Sequence, residues 1–428
     1  MHDIKSLTTN EMMEMIGDPD EMIVDIRPVE AFNGWALKRE LRGGHIRGAI
    51  SFPYAWTQYT FELQELLMNK QLTTGKSIVL YGYDRKNTTG MARMLREADF
   101  ERIRVYHHFA DEWSADPDRP MDGLPNYRKL VYPEWLNELI NGRRPPEYTG
   151  NKFVICHAHY RNIDAYSTGH IPGTIPLDTL SLESPETWNR RPDQEIRTTL
   201  EGLGITHDTT VILYGRFSSP SNEDPFPGSS AGHLGAMRCA AIMLYAGVED
   251  VRVLNGGLIS WQDAGFPISR ETTHPKPVDD FGISIPAHPE YFVDLAEAKE
   301  ILRADDAELV CVRSWREYIG EVSGYNYIEK KGRIPGAVFG NCGSDAYHME
   351  NYRNVDHTTR EYQEIIKEWK QAGVVPGKHN AFYCGTGWRG SEAFFNAFLL
   401  DWPKISVFDG GWFEWSKDPN NPVEKGPG

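Results

Sequence analysis

Short apolar runs, each ended by a glycine or a turn, alternate along the chain with segments whose apolar residues recur at helical spacing. The alternation is repeated three times at domain scale. Each copy opens with a helix, expected over residues 8–16, 133–140 and 289–302. An apolar strand follows at 22–26, 153–156 and 309–312, and then a glycine turn at 44–49, 169–174 and 332–337. A second strand ends at Gly82, at Gly215 and at Cys384. A helix comes next, expected over 391–400 in the third copy, and then a third strand at 103–106, 251–254 and 405–408. The second and third copies close with Asn255-Gly256-Gly257 leading to Trp261 and with Asp409-Gly410-Gly411 leading to Trp415. The first closes with a weaker version ending at Trp113.

Strands alternating with helices imply an α/β fold, a mostly parallel sheet covered on both faces. In such sheets sites form beyond the carboxyl ends of the strands. The length, 428 residues, suits about three domains of about 150 residues each. The stretch 272–288 holds Pro275, Pro277 and Pro286 and reads as a linker, and a less marked boundary falls near 126–130. The expected domains are therefore 1–129, 130–274 and 288–428. The middle copy is longer between its loop position and its closing tryptophan. The extra residues fall mainly in 217–230, a run of turn formers expected to be a surface loop and, on deletion, to change donor selectivity.

Charge and cysteine usage narrow the function. The net charge of −16 argues against nucleic acid and anionic membranes as partners, though a local nest of amides can still bind an anionic substrate. Five cysteines with no CxxC pair form no disulfide framework, so the thiols are expected to be free. No stretch is apolar for long enough to span a bilayer, and the first residues lack the features of a signal peptide. A cytoplasmic location is expected, or a periplasmic one if a signal was removed.

The chemistry concentrates in Cys384-Gly385-Thr386-Gly387-Trp388-Arg389-Gly390. A cysteine at the tip of a strand, followed by a glycine-rich loop feeding a helix, meets inward-pointing amides and a helix dipole. Arg389 adds a full positive charge. Such a cysteine is expected to be a thiolate near neutral pH and a nucleophile. Gly385 to Gly390 would form the anion cradle. Gly82 and Gly215 stand at the matching positions of the other copies, so only the third copy is armed.

The repeat resembles the rhodanese (sulfurtransferase) domain, and three copies with one Cys-Gly-Thr-Gly-Trp-Arg loop resemble the three-domain bacterial thiosulfate sulfurtransferases. The resemblance is carried by 384–389, 332–337, 323–328 and 409–415. It implies three tandem rhodanese-like domains, and a persulfide on Cys384 that passes sulfane sulfur from thiosulfate to cyanide or a thiol. No metal or organic cofactor is implied. Gly385, Thr386, Gly387, Trp388, Arg389 and Gly390 would bind the donor, with Arg313 and Arg333 as further contacts. The Asp-x-Arg of related first strands is matched by Asp25-Ile26-Arg27 and, in part, by Cys311-Val312-Arg313, whereas the middle copy has Cys156-His157-Ala158. The loop is also similar to that of 3-mercaptopyruvate sulfurtransferases.

Other readings remain to be weighed. A cysteine phosphatase or arsenate reductase needs five residues between cysteine and arginine; here there are four, and Gly390 sits where the arginine should be. A persulfide carrier that serves a protein partner without turnover would have the same loop. A metal site at Cys156-His157-Ala158-His159 is opposed by strand alternation, which reads better as a core cysteine and surface histidines. Cys239 reads as core, while Cys342 could approach the site. Trp388 could wall the pocket or pack against a neighbouring domain.

Overall fold

The computed structural model describes residues 4–59, 63–217 and 232–427. Nearly all of 217–230 therefore lies outside the described residues. The chain forms two compact units, Met1–Arg128 and Lys129–Gly428.

Each copy builds a five-stranded parallel sheet. The first has the order Lys5–Leu7, Ile103–Tyr106, Ser77–Tyr81, Glu21–Asp25, Ile50–Ser51. The second runs Ile175–Asp178, Phe153–His159, Thr210–Tyr214, Asp250–Leu254, Leu130–Val131. The third runs Phe292–Val293, Ile405–Phe408, His379–Tyr383, Ala307–Cys311, Val338–Phe339. In every sheet the strand that ends at the loop position lies in the middle and is almost wholly buried. Burial on both faces is why these strands are continuous apolar runs rather than alternating ones.

The expected elements are present: 103–106, 133–140 and 405–408 match residue for residue, and others have shifted ends. The helix expected over 289–302 starts only at Leu295, because the Asp294 side chain accepts from the Glu297 amide while Glu297 reaches back to the Asp294 amide. Phe292–Val293 ahead of it joins the sheet as a two-residue edge strand, too short to show in any periodicity.

Strand register corrects the alignment of the copies. Asp25 pairs with Tyr81, Cys311 with Tyr383, and His157 with Tyr214. The counterpart of Asp25 and Cys311 is thus His157, one residue later than Cys156, and that of Arg27 and Arg313 is His159. Both histidines are buried, so the surface position expected for them is wrong. His157 packs against Tyr214 and Tyr166 instead.

Within Lys129–Gly428 the second and third copies pack through the helices Gly232–Ala246 and Trp388–Leu399. Every residue of the first of these is buried, Cys239 included. Apart from His233 and Arg238 it is apolar around its circumference, as suits a helix enclosed on all sides. Here its far side is the helix that carries the cysteine loop.

Candidate active site

The strand His379–Tyr383 delivers Cys384 to the carboxyl edge of the third sheet. Gly387, at φ +98°, turns the chain into the helix Trp388–Leu399. That helix begins three residues earlier than its pattern suggested, so Trp388, Arg389 and Gly390 form its first turn rather than part of a loop. Gly390 lets the helix lie close to the strand, since a Cβ there would stand 3.0 Å from the Phe382 carbonyl. The loop is held from behind. The Trp412 amide donates to the Cys384 carbonyl and the Phe413 amide to the Gly385 carbonyl, each at 2.9 Å. Gly411 permits this, at φ +50° and with no room for a Cβ beside the Cys384 oxygen.

With its carbonyls tied back, the loop turns the Gly387 amide toward the sulfur. The Gly387 N–H donates to Cys384 Sγ at 3.2 Å. The first helical bond to Gly387 is that of the Ser391 amide, at 2.8 Å, so the amides of Trp388, Arg389 and Gly390 precede the helical ladder. Donors and dipole together make this end of the helix suited to negative charge on sulfur.

The three arginines have other tasks. Arg389 is fully buried and forms a bidentate pair with Glu317 (2.9 and 2.8 Å); it also donates to Cys342 Sγ (3.3 Å), the Asp345 carbonyl and the Tyr325 hydroxyl. Its charge is matched inside the protein. Burial alone would raise the Glu317 pKa, yet the charge and hydrogen bonds of Arg389, with help from Arg313 and Ser314, lower it to about 2. Arg313 lies in the core, donating to Cys311 Sγ (3.2 Å) and the Gly332 carbonyl (2.7 Å) with its guanidinium over Trp412. Arg27 makes the same bond to the Gly44 carbonyl in the first copy, so this arginine fastens the glycine turn to the strand end. Arg333 pairs with Glu424 and lies over Tyr318. Arg313 and Arg333, expected to contact the donor, are thus held by partners within the third copy, with Arg313 Nη1 left without a hydrogen bond.

Cys384 is completely buried, and aromatic rings pack about its loop. Tyr325 lies so close over Gly385 that a Cβ there would meet its ring at 2.0 Å. Burial first, and then nearness to the Cys384 sulfur, raise the hydroxyl pKa of both Tyr325 and Tyr327. Tyr327 stacks on Trp188 (5.5 Å), Trp188 meets Tyr160 (5.8 Å), and Tyr160 meets Trp388 edge-on (5.6 Å). The Trp388 indole N–H donates to both oxygens of Glu183 (2.8 and 2.9 Å), so this tryptophan packs against the middle copy. Burial above all holds the Tyr325 hydroxyl well above the ordinary tyrosine range, against the pull of Arg389. Sequence reasoning singled out 323–328 only as a motif. Tyr160, Glu183, Trp188 and Arg238 lie far from the loop in sequence and carry no local signature.

Among the described residues, one His/Asp/Glu group has metal-like proximity, His108, Asp111 and Glu112 in the first unit; it lies at the surface. The histidines 157 and 159 belong to no such group. No helix of the described residues is long and apolar enough to cross a membrane.

This arrangement, a cysteine on a strand-to-helix loop within a thrice-repeated parallel α/β unit, is that of a persulfide-forming sulfurtransferase. The rhodanese-like domain model matches residues 8–116, 157–264 and 294–418, and the chain belongs to that family. It is 38% identical over 429 residues to thiosulfate sulfurtransferase YnjE of Escherichia coli (strain K12), covering 99% of this chain and 93% of that one. It is 28% identical to the sulfur carrier protein TtuD of Thermus thermophilus, over 61% of this chain and 87% of that protein. Among solved structures, wild-type EanB superposes with a TM-score of 0.97 at 55% identity, over 100% of this chain and 99% of the other. A form of EanB with a cysteine persulfide in a tetrahedral intermediate state with ergothioneine gives 0.96 at 55% identity, over 99% and 100%. A further EanB form was solved with hercynine.

Proposed function

We propose that the chain transfers sulfane sulfur through a persulfide on Cys384, and that the small molecule it serves is an imidazole betaine of the hercynine–ergothioneine kind. The observation that carries the choice is the aromatic surface beside the Cys384 loop. Tyr325, Tyr327, Trp188 and Tyr160 form a run of contacting rings beside the cysteine loop, and aromatic rings of this kind attract a quaternary ammonium. Meanwhile Arg313, Arg333 and Arg389, the cations a dianion such as thiosulfate would use, are engaged inside the protein. The likeness to EanB at 55% identity supports the same substrate class.

The step balances without a cofactor. The imidazole carbon between the two nitrogens bonds to the outer sulfur of the persulfide, and the proton it loses is taken up by the departing Cys384 sulfur once that has left, so that the products are the thione and the free thiol. The S–S bond breaks, and Cys384 leaves as a thiolate. The sulfane sulfur is reduced as the carbon is oxidised. Charge developing on the departing Sγ meets the Gly387 amide and the helix N-terminus, donors already aimed before reaction. The Tyr325 hydroxyl accepts from Arg389, which leaves its own proton free to donate toward the substrate.

Transfer from thiosulfate to cyanide or a thiol is the second reading, favoured by 38% identity to YnjE over nearly the full length. 3-Mercaptopyruvate as donor, and a protein persulfide partner in the manner of a carrier, remain the alternatives to test. The experiment compares wild type with Cys384→Ala. Intact mass is recorded after inorganic polysulfide, thiosulfate or 3-mercaptopyruvate, and sulfur transfer is followed to hercynine and to cyanide. Ergothioneine formed from hercynine only when Cys384 is present is the expected result. Turnover of thiosulfate and cyanide with no product from hercynine would overturn the betaine assignment, and loading without turnover would favour the carrier.

A further inference from the structure

The middle copy has no thiol at its loop position, yet its side chains reach the cysteine loop of the third. Arg238, on the helix Gly232–Ala246, is fully buried. Its Nε donates to Glu183 (3.1 Å), and its Nη2 to the Trp188 carbonyl (3.0 Å) and to Asp409 (2.5 Å). Its Nη1 makes no hydrogen bond and lies 3.1 Å from where a Cβ on Gly387 would stand. One guanidinium thus backs the glycine whose amide holds Cys384 Sγ. It also ties down Asp409, the residue before the glycines that let Trp412 and Phe413 grip the loop carbonyls. Glu183 holds the loop at a second point, through the Trp388 indole.

The other side of the same interface supplies a comparison. Counting back from Trp261 and Trp415, Glu392 is the counterpart of Arg238, and it pairs with Arg353. That pair has the opposite polarity. Arg353 faces Phe217 and His233, at the loop position of the thiol-free copy. The two buried ion pairs therefore sit under two different loops, and only one of those loops carries a thiol.

We propose that Arg238 and Glu183 of the thiol-free copy are positioning residues for sulfur transfer at Cys384, holding the loop so that the Gly387 amide stays on the sulfur. This rests on the reading that Cys384 carries the sulfur. An ion pair that served the interface alone would matter equally on both sides. A pair that positions the loop matters on one.

The test uses the full chain. Wild type and Cys384→Ala are first loaded with inorganic polysulfide or thiosulfate and weighed; a wild type that gains no sulfur removes the underlying reading before any variant is compared. With a loading wild type, Arg238→Lys should lower kcat by roughly 10- to 100-fold with KM within about threefold, since small misplacements of reacting groups cost about that much. Arg353→Lys should leave kcat within about threefold. Equal losses in the two variants, or a rise in KM alone, would overturn the proposal. Circular dichroism checks folding. If Arg238→Lys does not fold, Glu183→Gln, Trp388→Phe and their double variant decide. A double variant no slower than the slower single variant supports a shared task, whereas losses that multiply overturn it.

Discussion

Glu317→Gln tests how the protein manages the charge of Arg389. Both side chains are fully buried, and the carboxylate takes two hydrogen bonds from one guanidinium. The substitution keeps size and one acceptor but leaves Arg389 with a buried, unmatched charge, for which about 3–5 kcal/mol is usual. The proton linkage gives a figure of the same order. Glu317 falls from 4.5 to about 2 on folding, which corresponds to about 3 kcal/mol at 1.36 kcal/mol per unit. For a domain of this size about 3 kcal/mol lowers the melting temperature by about 6–12 °C. Tryptophan fluorescence during heating measures it, with Glu424→Gln as a control. That residue is the half-exposed partner of Arg333, and its loss should cost at most about 1 kcal/mol. The pH dependence supplies a second check. A depressed carboxylate pKa contributes stability above the unfolded value and loses it as pH falls through the folded one. Wild type should therefore weaken between about pH 4.5 and 2, with a gentler slope in the Gln variant. A drop of under about 2 °C, or one no larger than in the control, would refute the view that Glu317 neutralises Arg389.

Gly385→Ala puts a Cβ within 2.0 Å of the Tyr325 ring; it should displace that ring and reduce kcat by roughly tenfold or more, read in the sulfur-transfer assay, since small shifts near reacting atoms are costly. Burial, only partly offset by Arg389, pushes the Cys342 thiol up to about 12. Brief iodoacetamide treatment of the native protein followed by peptide mass mapping should leave Cys342 unmodified, and Cys342→Ala should still load sulfur at Cys384. Burial raises Glu183 to about 7 in spite of Arg238. A raised carboxylate pKa means that the folded state holds the proton more tightly. Its stability contribution is full below about pH 4.5 and lost as pH rises through about 7, opposite in sense to Glu317. Melting curves from pH 5 to 8 should show this fall in wild type and a flatter profile in Glu183→Gln.

The parts legible in the sequence are those with a local signature. The strand ending at Cys384 is an unbroken apolar run because the sheet covers both its faces. The loop is legible because Gly387 and Gly411 must take positive φ beside the sulfur. The register of the middle copy was not, since Cys156 and His157 are both buried and only the pairing with Tyr214 tells them apart. The roles of Arg313 and Arg389 were also hidden. A sequence shows that an arginine is near a cysteine, but not that Glu317, 72 residues away, has taken up its charge.

That neutralisation shapes the site more than the loop motif does. A glycine loop at a helix N-terminus attracts any anion, and the motif alone cannot distinguish sulfur donors. On the betaine reading, selectivity would come from what stands in front of the loop and what has been withdrawn from it. Here Arg389 is turned to Glu317, Arg313 to the Gly332 carbonyl and Arg333 to Glu424, while Tyr325 and Tyr327 from one copy and Tyr160 and Trp188 from another form the aromatic surface beside it. The same interface that brings those two rings from the middle copy also brings Glu183 and Arg238 under the loop. A copy that has no thiol thus has a physical reason to be retained: it provides half of the aromatic surface and the buried charges on which the loop rests.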